Sequence, residues 1–372
     1  GHEGQGWSGI ISSVSRKTFQ VRCNLPKGDA GNWGVEAGNY YYLYNPEPDA
    51  INAYGGIVSM MGFGEWWKNA DSLYVKTKDG SPPSANPVGA NFVEAKKFPF
   101  FYRPNEDGVL QNITIKNFDM FATSITTDDN FDHRTTVSEA ENVIIDNIRV
   151  RYVMHTANLN GDWYYQWSSS SGIILSGRNC VLKNSKIDWS AASAVSAIGL
   201  NHKILNNEMT NINYQGTEGG VINFGGRDVN SFDFDVGYNT IINSTHDGIV
   251  YQELRNSDLN NPGVARIHHN YLHNTMTQYF DLGVIKGAGQ YGQWVRIDHN
   301  VMHNDVQYNF GNARAGLYFD YGSRDNGNNS LFIVDHNIVY DIEEAMVLNH
   351  LNGIKIFNNT LYGTQVGIYA GS

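Results

Sequence analysis

Short apolar segments, each interrupted by asparagine, recur from the middle of the chain to its end. The clear members are VLKNSKI (181–187), ILNNEM (204–209), VGYNTII (236–242), RIHHNYLHN (266–274), RIDHNVMHN (296–304), IVDHNIVYD (333–341) and IKIFNNTLY (354–362). Weaker members come earlier, at ITIKNFDMF (113–121) and VIIDNIRV (143–150). The pattern predicts short strands that are separated by a turn at the asparagine.

The recurring asparagines suggest a mechanical role. They are Asn117, Asn147, Asn184, Asn207, Asn239, Asn270, Asn300, Asn337 and Asn359, and from Asn184 onward their spacings run from 22 to 37 residues. Asparagine tolerates the left-handed backbone conformation of a tight turn, and its amide can hydrogen-bond an equivalent amide in the next repeat. The variable spacing predicts loops of different length between strands.

A second motif, a strand led by Gly or Ala, alternates with the first. Its members are SGIILSG (171–177), GGVINFGG (219–226), DGIVYQE (247–253), LGVIKGAG (282–289), AGLYFDYG (315–322), AMVLNH (345–350) and VGIYAGS (366–372). Two or three short strands per repeat describe one coil of a solenoid that buries its apolar face only by stacking on its neighbours. The prediction is an all-β right-handed parallel β-helix; leucine-rich repeats, propellers and β-sandwiches fit less well.

The first hundred residues lack the repeat. Strand-like runs and clustered aromatics, as in NYYYLYN (39–45), predict a small β-sandwich-like module over 1–100 that precedes the β-helix of 101–372 or is inserted in it. The expected boundary lies near 98–108. The chain stops directly after a strand of the core type, so we expect either a piece of a longer chain or ends that pack on partners, oligomerisation included.

Composition narrows the possible functions. Charged residues make up only 17% of the chain, Gly and Tyr number 39 and 22, and the formal net charge is −11. An acidic protein repels the phosphate backbone, so no nucleic-acid partner is expected. No apolar run reaches the length of a membrane-spanning helix, so no membrane span is expected.

Several phrases resemble a known superfamily. RIHHNYLHN, LGVIKGAG, RIDHNVMHND and AGLYFDYGSRDN resemble the HNxxHD, DxGGIY and IYxDDGS pattern of the pectate-lyase-like right-handed parallel β-helix superfamily, and GEWWKNADSLYVKTKDG resembles the small β-sandwich inside several of its glycosidases. The resemblance covers roughly residues 60–372. It implies a carbohydrate-active β-helix, in a superfamily of glycoside hydrolases, polysaccharide lyases, epimerases and viral tailspikes. The sequence departs from this pattern where a paired Asp-Asp reads Asp320-Tyr321.

Acidic residues flank the Gly-led strands. Glu218, Asp247 and Asp281 precede these strands, while Glu253 and Asp320 follow or end them. Adjacent coils lie about 4.8 Å apart, so carboxylates one or two coils apart reach the separations of about 5 to 9.5 Å that glycosidases use. We expect Asp247, Asp281, Asp320 and Glu253 to be catalytic. The resemblance also matches Asp281 and Asp320 to acids of the family pattern. Turn formation is the alternative role for each.

Other polar and aromatic residues are expected to bind substrate. Lys286 interrupts an apolar strand, so it must point into a polar cleft or pair with an acid. The remaining candidates at comparable places are Glu218, His246, Tyr251, Tyr321, Arg324 and His350.

No cofactor and no metal site is expected from these patterns. His269, His299 and His336 precede the asparagines of three repeats, and we predict a stacked structural column for them. The acidic turns at 127–130 and 325–326 are candidates for Ca²⁺, with solvated turns as the alternative.

The sequence therefore favours a secreted enzyme, extracellular or periplasmic, that hydrolyses a polysaccharide with a carboxylate pair. A polysaccharide lyase with Lys286, Tyr321 or Arg324 as base is the second hypothesis, and a glycan-binding or structural β-helix without catalysis is the third.

Overall fold

A computed structural model describes a large part of the chain. The described residues are 9–15, 18–23, 66–68, 73–75, 82, 100–102, 110–128, 137–153, 172–214, 216, 219–226, 229–256, 258, 260, 263–278, 282–291, 293–305, 314–321, 331–349, 351 and 353–371. No helix occurs in these ranges, and hence none that is long and apolar enough to cross a membrane.

The chain divides into two compact units. The smaller comprises residues 9–24 and 35–97, and the larger comprises residues 1–8, 25–34 and 98–372. In the smaller unit, two antiparallel pairs are described, Gly9–Ser15 with Thr18–Cys23 and Trp66–Lys68 with Leu73–Val75. The rest of the β-sandwich expected over 1–100 lies outside the described residues and stays a prediction.

The larger unit is a right-handed parallel β-helix, as predicted. Three parallel sheets run along it, named A, B and C in the order in which each coil visits them. Sheet A contains Thr114–Lys116, Ile144–Asp146, Val181–Lys183, Lys203–Leu205, Asp235–Gly237, Gly263–His268, Gln293–Asp298, Leu331–Asp335 and Ile354–Phe357. Sheet B contains Asp119–Phe121, Arg149–Arg151, Lys186–Ser190, Glu208–Ile212, Thr240–Ser244, Tyr271–His273, Val301–His303, Ile338–Tyr340 and Thr360–Tyr362.

Sheet C completes the coils. It contains Ile173–Arg178, Val195–Leu200, Ile222–Phe224, Ile249–Arg255, Leu282–Tyr291, Arg314–Tyr321, Glu344–Asn349 and Val366–Gly371. A short parallel pair, Phe100–Tyr102 with Ser124–Ile125, lies at the N-terminal end. Equivalent strands of successive coils pair in register, so residues 22 to 37 positions apart in sequence become lateral neighbours.

Alternation along each strand builds one core. In sheet A the central residue of each strand points inward and stacks on its equivalent one coil away, as Leu182, Ile204 and Val236 do, all with no exposed surface. Sheets B and C contribute matching inward rows. Burial of each such side chain stabilises the fold by about 1.5 to 3 kcal/mol. The residues on either side of the inward row point outward and make the walls.

A ladder of buried asparagine amides runs between sheets A and B. Its members are Asn207, Asn239, Asn270, Asn300, Asn337 and, half-buried at the last step, Asn359. From Asn239 onward, the Oδ1 of each member accepts hydrogen bonds from both the backbone N–H and the Nδ2 of the preceding member, for example 3.0 and 2.9 Å from Asn270 to Asn300. The coil-to-coil amide bonding predicted from the sequence is confirmed.

The left-handed turn belongs to the column one residue earlier. Asn117, Asn147 and Asn184 lie in that column, with φ of 63°, 52° and 54°. The sequence pattern groups Asn117, Asn147 and Asn184 with the ladder asparagines, one position out of register. Asparagine suits both the turn column and the ladder column, so the pattern alone does not separate them. At the true ladder position next to Asn184 stands Ser185, whose N–H donates to Asn207 Oδ1 at 3.0 Å.

Asn300→Ala tests the ladder. The change removes the acceptor of Asn270 and the donor to Asn337, and it leaves buried polar groups unpaired. We expect the free energy of unfolding to fall by about 3 kcal/mol, measured by urea unfolding. Asn206→Gly, at an exposed turn position with φ of 56°, should cost only a few tenths of a kcal/mol. Equal losses in both variants would contradict a stabilising role for the ladder.

Candidate functional site

Asp247 and His246 lie inside the wall between coils. Asp247 is 1% exposed, and its Oδ1 accepts the backbone N–H of Gly283 at 2.7 Å from the next coil. Its Oδ2 lies 2.8 Å from Nδ1 of the equally buried His246. Neither side chain is accessible to a polysaccharide, which argues against catalysis by Asp247 and against substrate binding by His246. They act as a brace between coils.

Tyr251 points into the core. The side chain is 1% exposed and packs against Phe224, with ring centroids 6.0 Å apart. A Cβ at Gly287, one coil away, would collide with the Tyr251 ring, so the glycine in LGVIKGAG makes room for it. Burial raises the pKa of Tyr251 well above its usual value. A ring enclosed in this way offers no face to a sugar, so the structure argues against the expected substrate contact.

Lys286 and Asp320 meet on the outer wall of sheet C. Lys286 Nζ lies 3.8 Å from Asp320 Oδ2 and 5.0 Å from the centre of the Tyr318 ring. The Tyr318 hydroxyl donates to Asp320 Oδ1 at 3.3 Å, and Asn349 Nδ2 donates to the Tyr318 oxygen at 3.5 Å. These four residues, called the Lys286 cluster, come from three successive coils. The expected pairing of Lys286 with an acid is present.

The strand register explains the cluster. Lys286 lies opposite Tyr318, but Gly287 lies opposite Phe319 and Ala288 opposite Tyr321, so Asp320 is the extra residue of a β-bulge. A bulge changes the direction in which a side chain points, and bulges are common next to active sites. The Lys286 and Asp320 side chains are 13% and 26% exposed, so the ammonium and the carboxylate are only partly hydrated and still reachable from solvent.

Asp247 and Asp320, two of the four acids expected to be catalytic, lie far apart along sheet C. Asp247 is level with Gly283, to which it is bonded, and Gly283 lies opposite Ala315. Asp320 is five residues beyond Ala315, which is about 16 Å along the strand at 3.3 Å per residue. This distance exceeds the roughly 5 to 9.5 Å that separates the carboxyl groups of glycosidases. The two acids therefore cannot flank one glycosidic bond.

The other predicted site residues stay predictions. Glu253 and Tyr321 lie in strands of sheet C, but their side chains are outside the described part of the structure. The residues that lie wholly outside it are Glu218, Asp281, Arg324 and His350. Of the acidic turns suggested for Ca²⁺, only Thr127 and the buried Asp128 are described.

Glu344 is an acid that the sequence analysis missed. Burial, with a smaller contribution from Glu343, raises its pKa. Its Oε2 is buried and makes no hydrogen bond with any described residue. Glu344 lies opposite Ala315 at the start of its strand, so it too is about 16 Å along the sheet from Asp320. Its position rules out a pair with Asp320.

Four aromatic rings line the corner between sheets B and C on successive coils. We call Phe121, Tyr152, Trp189 and Tyr214 the aromatic strip. The ring centroids are 5.5, 6.2 and 6.2 Å apart in that order, and the Tyr152 and Trp189 planes are within 17° of parallel. The first three residues are 45%, 39% and 41% exposed. Burial raises the pKa of Tyr214 to about 12, so its hydroxyl stays protonated.

The backbone of the aromatic strip is unusual. Tyr152 and Trp189 have φ of 55° and 61°, at turn positions where the next coils place Asn211, Asn243 and Asn274. A bulky residue with positive φ is a genuine outlier and costs of order 1 kcal/mol or more, and such outliers cluster at binding sites. The sequence contains this signal, since Tyr and Trp stand where other repeats have Asn.

The histidines of sheet A stack in a column, as predicted. The rings of His269, His299 and His336 stack at 4.7 and 4.9 Å with planes within 4°. Beside them, Asp298 accepts two hydrogen bonds from Arg266, at 2.8 and 2.7 Å, and one from His299 at 2.9 Å. Burial raises the pKa of Asp298, but these hydrogen bonds outweigh it and hold the pKa at about 2.

Comparison with known proteins yields little likeness. No protein-family model and no curated protein sequence matches the chain. The crystal structure of the Dettilon tailspike protein is similar at a TM-score of 0.33 and 14% sequence identity, over 71% of this chain. This chain spans 60% of the length of that tailspike. A likeness at this TM-score carries no argument about function.

Tyr251→Phe tests whether Tyr251 belongs to the core. Its hydroxyl is buried without a hydrogen-bond partner among the described residues, so removing it should raise the free energy of unfolding by about 1 kcal/mol. Chemical denaturation of the two proteins measures the difference. A loss of stability, or a loss of glycan binding at unchanged stability, would contradict the core assignment.

Proposed function

We propose that this chain binds a polysaccharide on the outer wall of its β-helix and cleaves it, outside the cell. The aromatic strip is the observation that carries the proposal. Tyr and Trp combine an apolar face, which can stack on a sugar ring, with a polar group at the rim. A cluster of exposed aromatic rings on a β-helix is typical of an interaction surface.

The shape of the aromatic strip suits an extended chain. Its four rings follow one another across three coil steps, a span of about 14 Å at 4.8 Å per step. Tyr152 and Trp189 adopt strained turn conformations in which asparagine would be more stable. Their presence at these positions therefore favours a role in binding over a role in stability. The net charge of −11 argues against stacking on nucleic-acid bases.

For the cleavage step, we propose β-elimination on a uronate at the Lys286 cluster. Elimination removes the proton next to the uronate carboxyl group and breaks the bond to the leaving oxygen, which takes up a proton. In this role the ammonium of Lys286 offsets the substrate carboxylate, and the Asp320 carboxylate accepts the abstracted proton. The Tyr318 hydroxyl, in contact with Asp320 at 3.3 Å, gives its proton to the leaving oxygen. A positioned acid–base group of this kind contributes about 100-fold or more to the rate.

Hydrolysis is the second candidate. The main chain at Glu253 lies two coils from that at Asp320, since Gln252 is opposite Ala288 and Ala288 opposite Tyr321. Two coils span about 9.6 Å, close to the upper limit for an inverting pair of carboxyl groups. Hydrolysis and elimination have different products, so one assay separates them.

Trp189→Asn tests the binding surface. Asparagine fits the positive φ, so the variant should unfold at no lower urea concentration than the parent, while polysaccharide binding weakens about tenfold, roughly 1.4 kcal/mol. A panel of neutral and acidic polysaccharides in affinity electrophoresis measures the binding. Trp294→Ala removes an equally exposed tryptophan from sheet A and serves as the control. Equal weakening in both variants would count against the aromatic strip.

Lys286→Met and Asp320→Asn test the cleavage. With a polyuronate that the parent cleaves, each variant should release products at least about 100-fold more slowly, while binding to the aromatic strip persists. Lys355→Met, at an exposed position of sheet A, is the control. Ultraviolet absorbance reports unsaturated ends and a reducing-end assay counts all new ends. New reducing ends without the ultraviolet absorbance would show hydrolysis in place of elimination. If no substrate gives new reducing ends, the chain binds polysaccharide without cleaving it.

A further inference from the structure

Four aromatic rings stack along the outer face of sheet B, away from the Lys286 cluster. His273, His303, Tyr340 and Tyr362 occupy equivalent strand positions in successive coils. Their centroids are 4.2, 4.4 and 4.8 Å apart, with planes within 16° of parallel. The two histidine rings are thus stacked face to face, and both approach Asp305.

The three side chains bring their donor atoms together. His273 Nε2 lies 2.9 Å from Asp305 Oδ2, and His303 Nδ1 lies 3.7 Å from Asp305 Oδ1. Each residue offers one ligand atom, and these three atoms lie within 4.8 Å of one another. The His303 side chain is 8% exposed and the Asp305 side chain is 66% exposed. The cluster is therefore buried at His303 and open to solvent at Asp305.

His303 Nδ1 has an unmet bonding capacity. It is buried, and no described residue forms a hydrogen bond with it. Burial, and next to it the charge of His273, lower the pKa of His303, although Asp305 and Asp341 act in the opposite direction. A buried imidazole nitrogen without a hydrogen-bond partner among the described residues can serve as a metal ligand.

Neighbouring residues hold the cluster in place. The Tyr271 hydroxyl lies 2.8 Å from His303 Nε2, the nitrogen that does not face Asp305. When Nδ1 binds an ion, Nε2 carries the proton and donates it to the Tyr271 oxygen, which is the outer contact that metal-binding histidines usually have. The backbone N–H of Asp305 donates to Asn274 Oδ1 at 2.9 Å, which fixes the loop that carries the carboxylate.

We propose that His273, His303 and Asp305 bind a divalent transition-metal ion, with zinc as the best-fitting ion. Two imidazole nitrogens and one carboxylate oxygen are a donor set that zinc prefers, whereas Ca²⁺ and Mg²⁺ prefer oxygen ligands alone. Three protein ligands leave a coordination position for water or another small ligand on the exposed side. The proposal is independent of the proposed polysaccharide function.

A second group of the same composition shows why the donor set alone is not sufficient. His269, Asp298 and His299 also lie within 4.8 Å of one another. Both oxygens of Asp298 are taken by Arg266, and Oδ2 also by His299 Nδ1. The arginine charge satisfies this carboxylate and repels a cation. The group provides a matched control.

Zinc binding to the full chain tests the proposal. The chain is stripped with a chelator, exchanged into metal-free buffer and titrated with ZnCl₂ by calorimetry. We expect one saturable equivalent, weakened more than about tenfold in His273→Gln and Asp305→Asn, about tenfold in Tyr271→Phe, and unchanged in His299→Asn. Co²⁺ in place of zinc gives a visible absorption band that should vanish in the same variants.

Thermal unfolding of each metal-free variant separates binding from folding. His273→Gln keeps a polar side chain beside Asp305, and Asp305→Asn changes a side chain that is 66% exposed, so both variants should melt near the parent temperature without zinc. Added zinc should raise the melting temperature of the parent and of His299→Asn, and not that of His273→Gln or Asp305→Asn. Absence of saturable binding, or equal weakening in His299→Asn and His273→Gln, would overturn the proposal.

Discussion

Hydrogen bonds between successive coils determine the register of this fold. Each strand of the three sheets bonds the equivalent strands of the neighbouring coils. At the corner between sheets A and B, the asparagine amides repeat that bonding with side chains, from Asn207 to Asn359. A buried amide that lacks a partner is costly, so each asparagine fixes the height and the rotation of the next coil. The register set in this way decides which residues become neighbours on the outer walls.

Because the coils stack in register, outward-facing side chains of successive coils line up in columns on the outer walls. On sheet C the column joins Lys286 to Tyr318, and a bulge turns Asp320 toward them. On sheet B one column stacks His273 on His303. At the next corner, the strained turns of Tyr152 and Trp189 replace asparagines that would be more stable there. Each proposed site is thus a local departure from a repeat that otherwise serves stability.

The fold could be predicted from the sequence because the repeat itself carries it. Inward residues and turn asparagines recur in every coil, and each needs only its neighbours to be satisfied. The candidate site could be predicted only in part. Tyr251 and Lys286 both stand in apolar strands, and only the pairing of coils shows that the first points into the core and the second outward. Asp247 looks like a site acid in the sequence, yet it caps an N–H of the next coil.

Hydrogen–deuterium exchange of the full chain, with and without a bound polysaccharide, tests the central claim most directly: that the ordered columns form a glycan-binding wall. The account predicts added protection in the peptides of the first coils that carry Phe121, Tyr152, Trp189 and Tyr214, four segments distant in sequence that respond together. Sheet A around Trp294 should exchange as before. Protection limited to sheet A, or to one of the four segments, would contradict it.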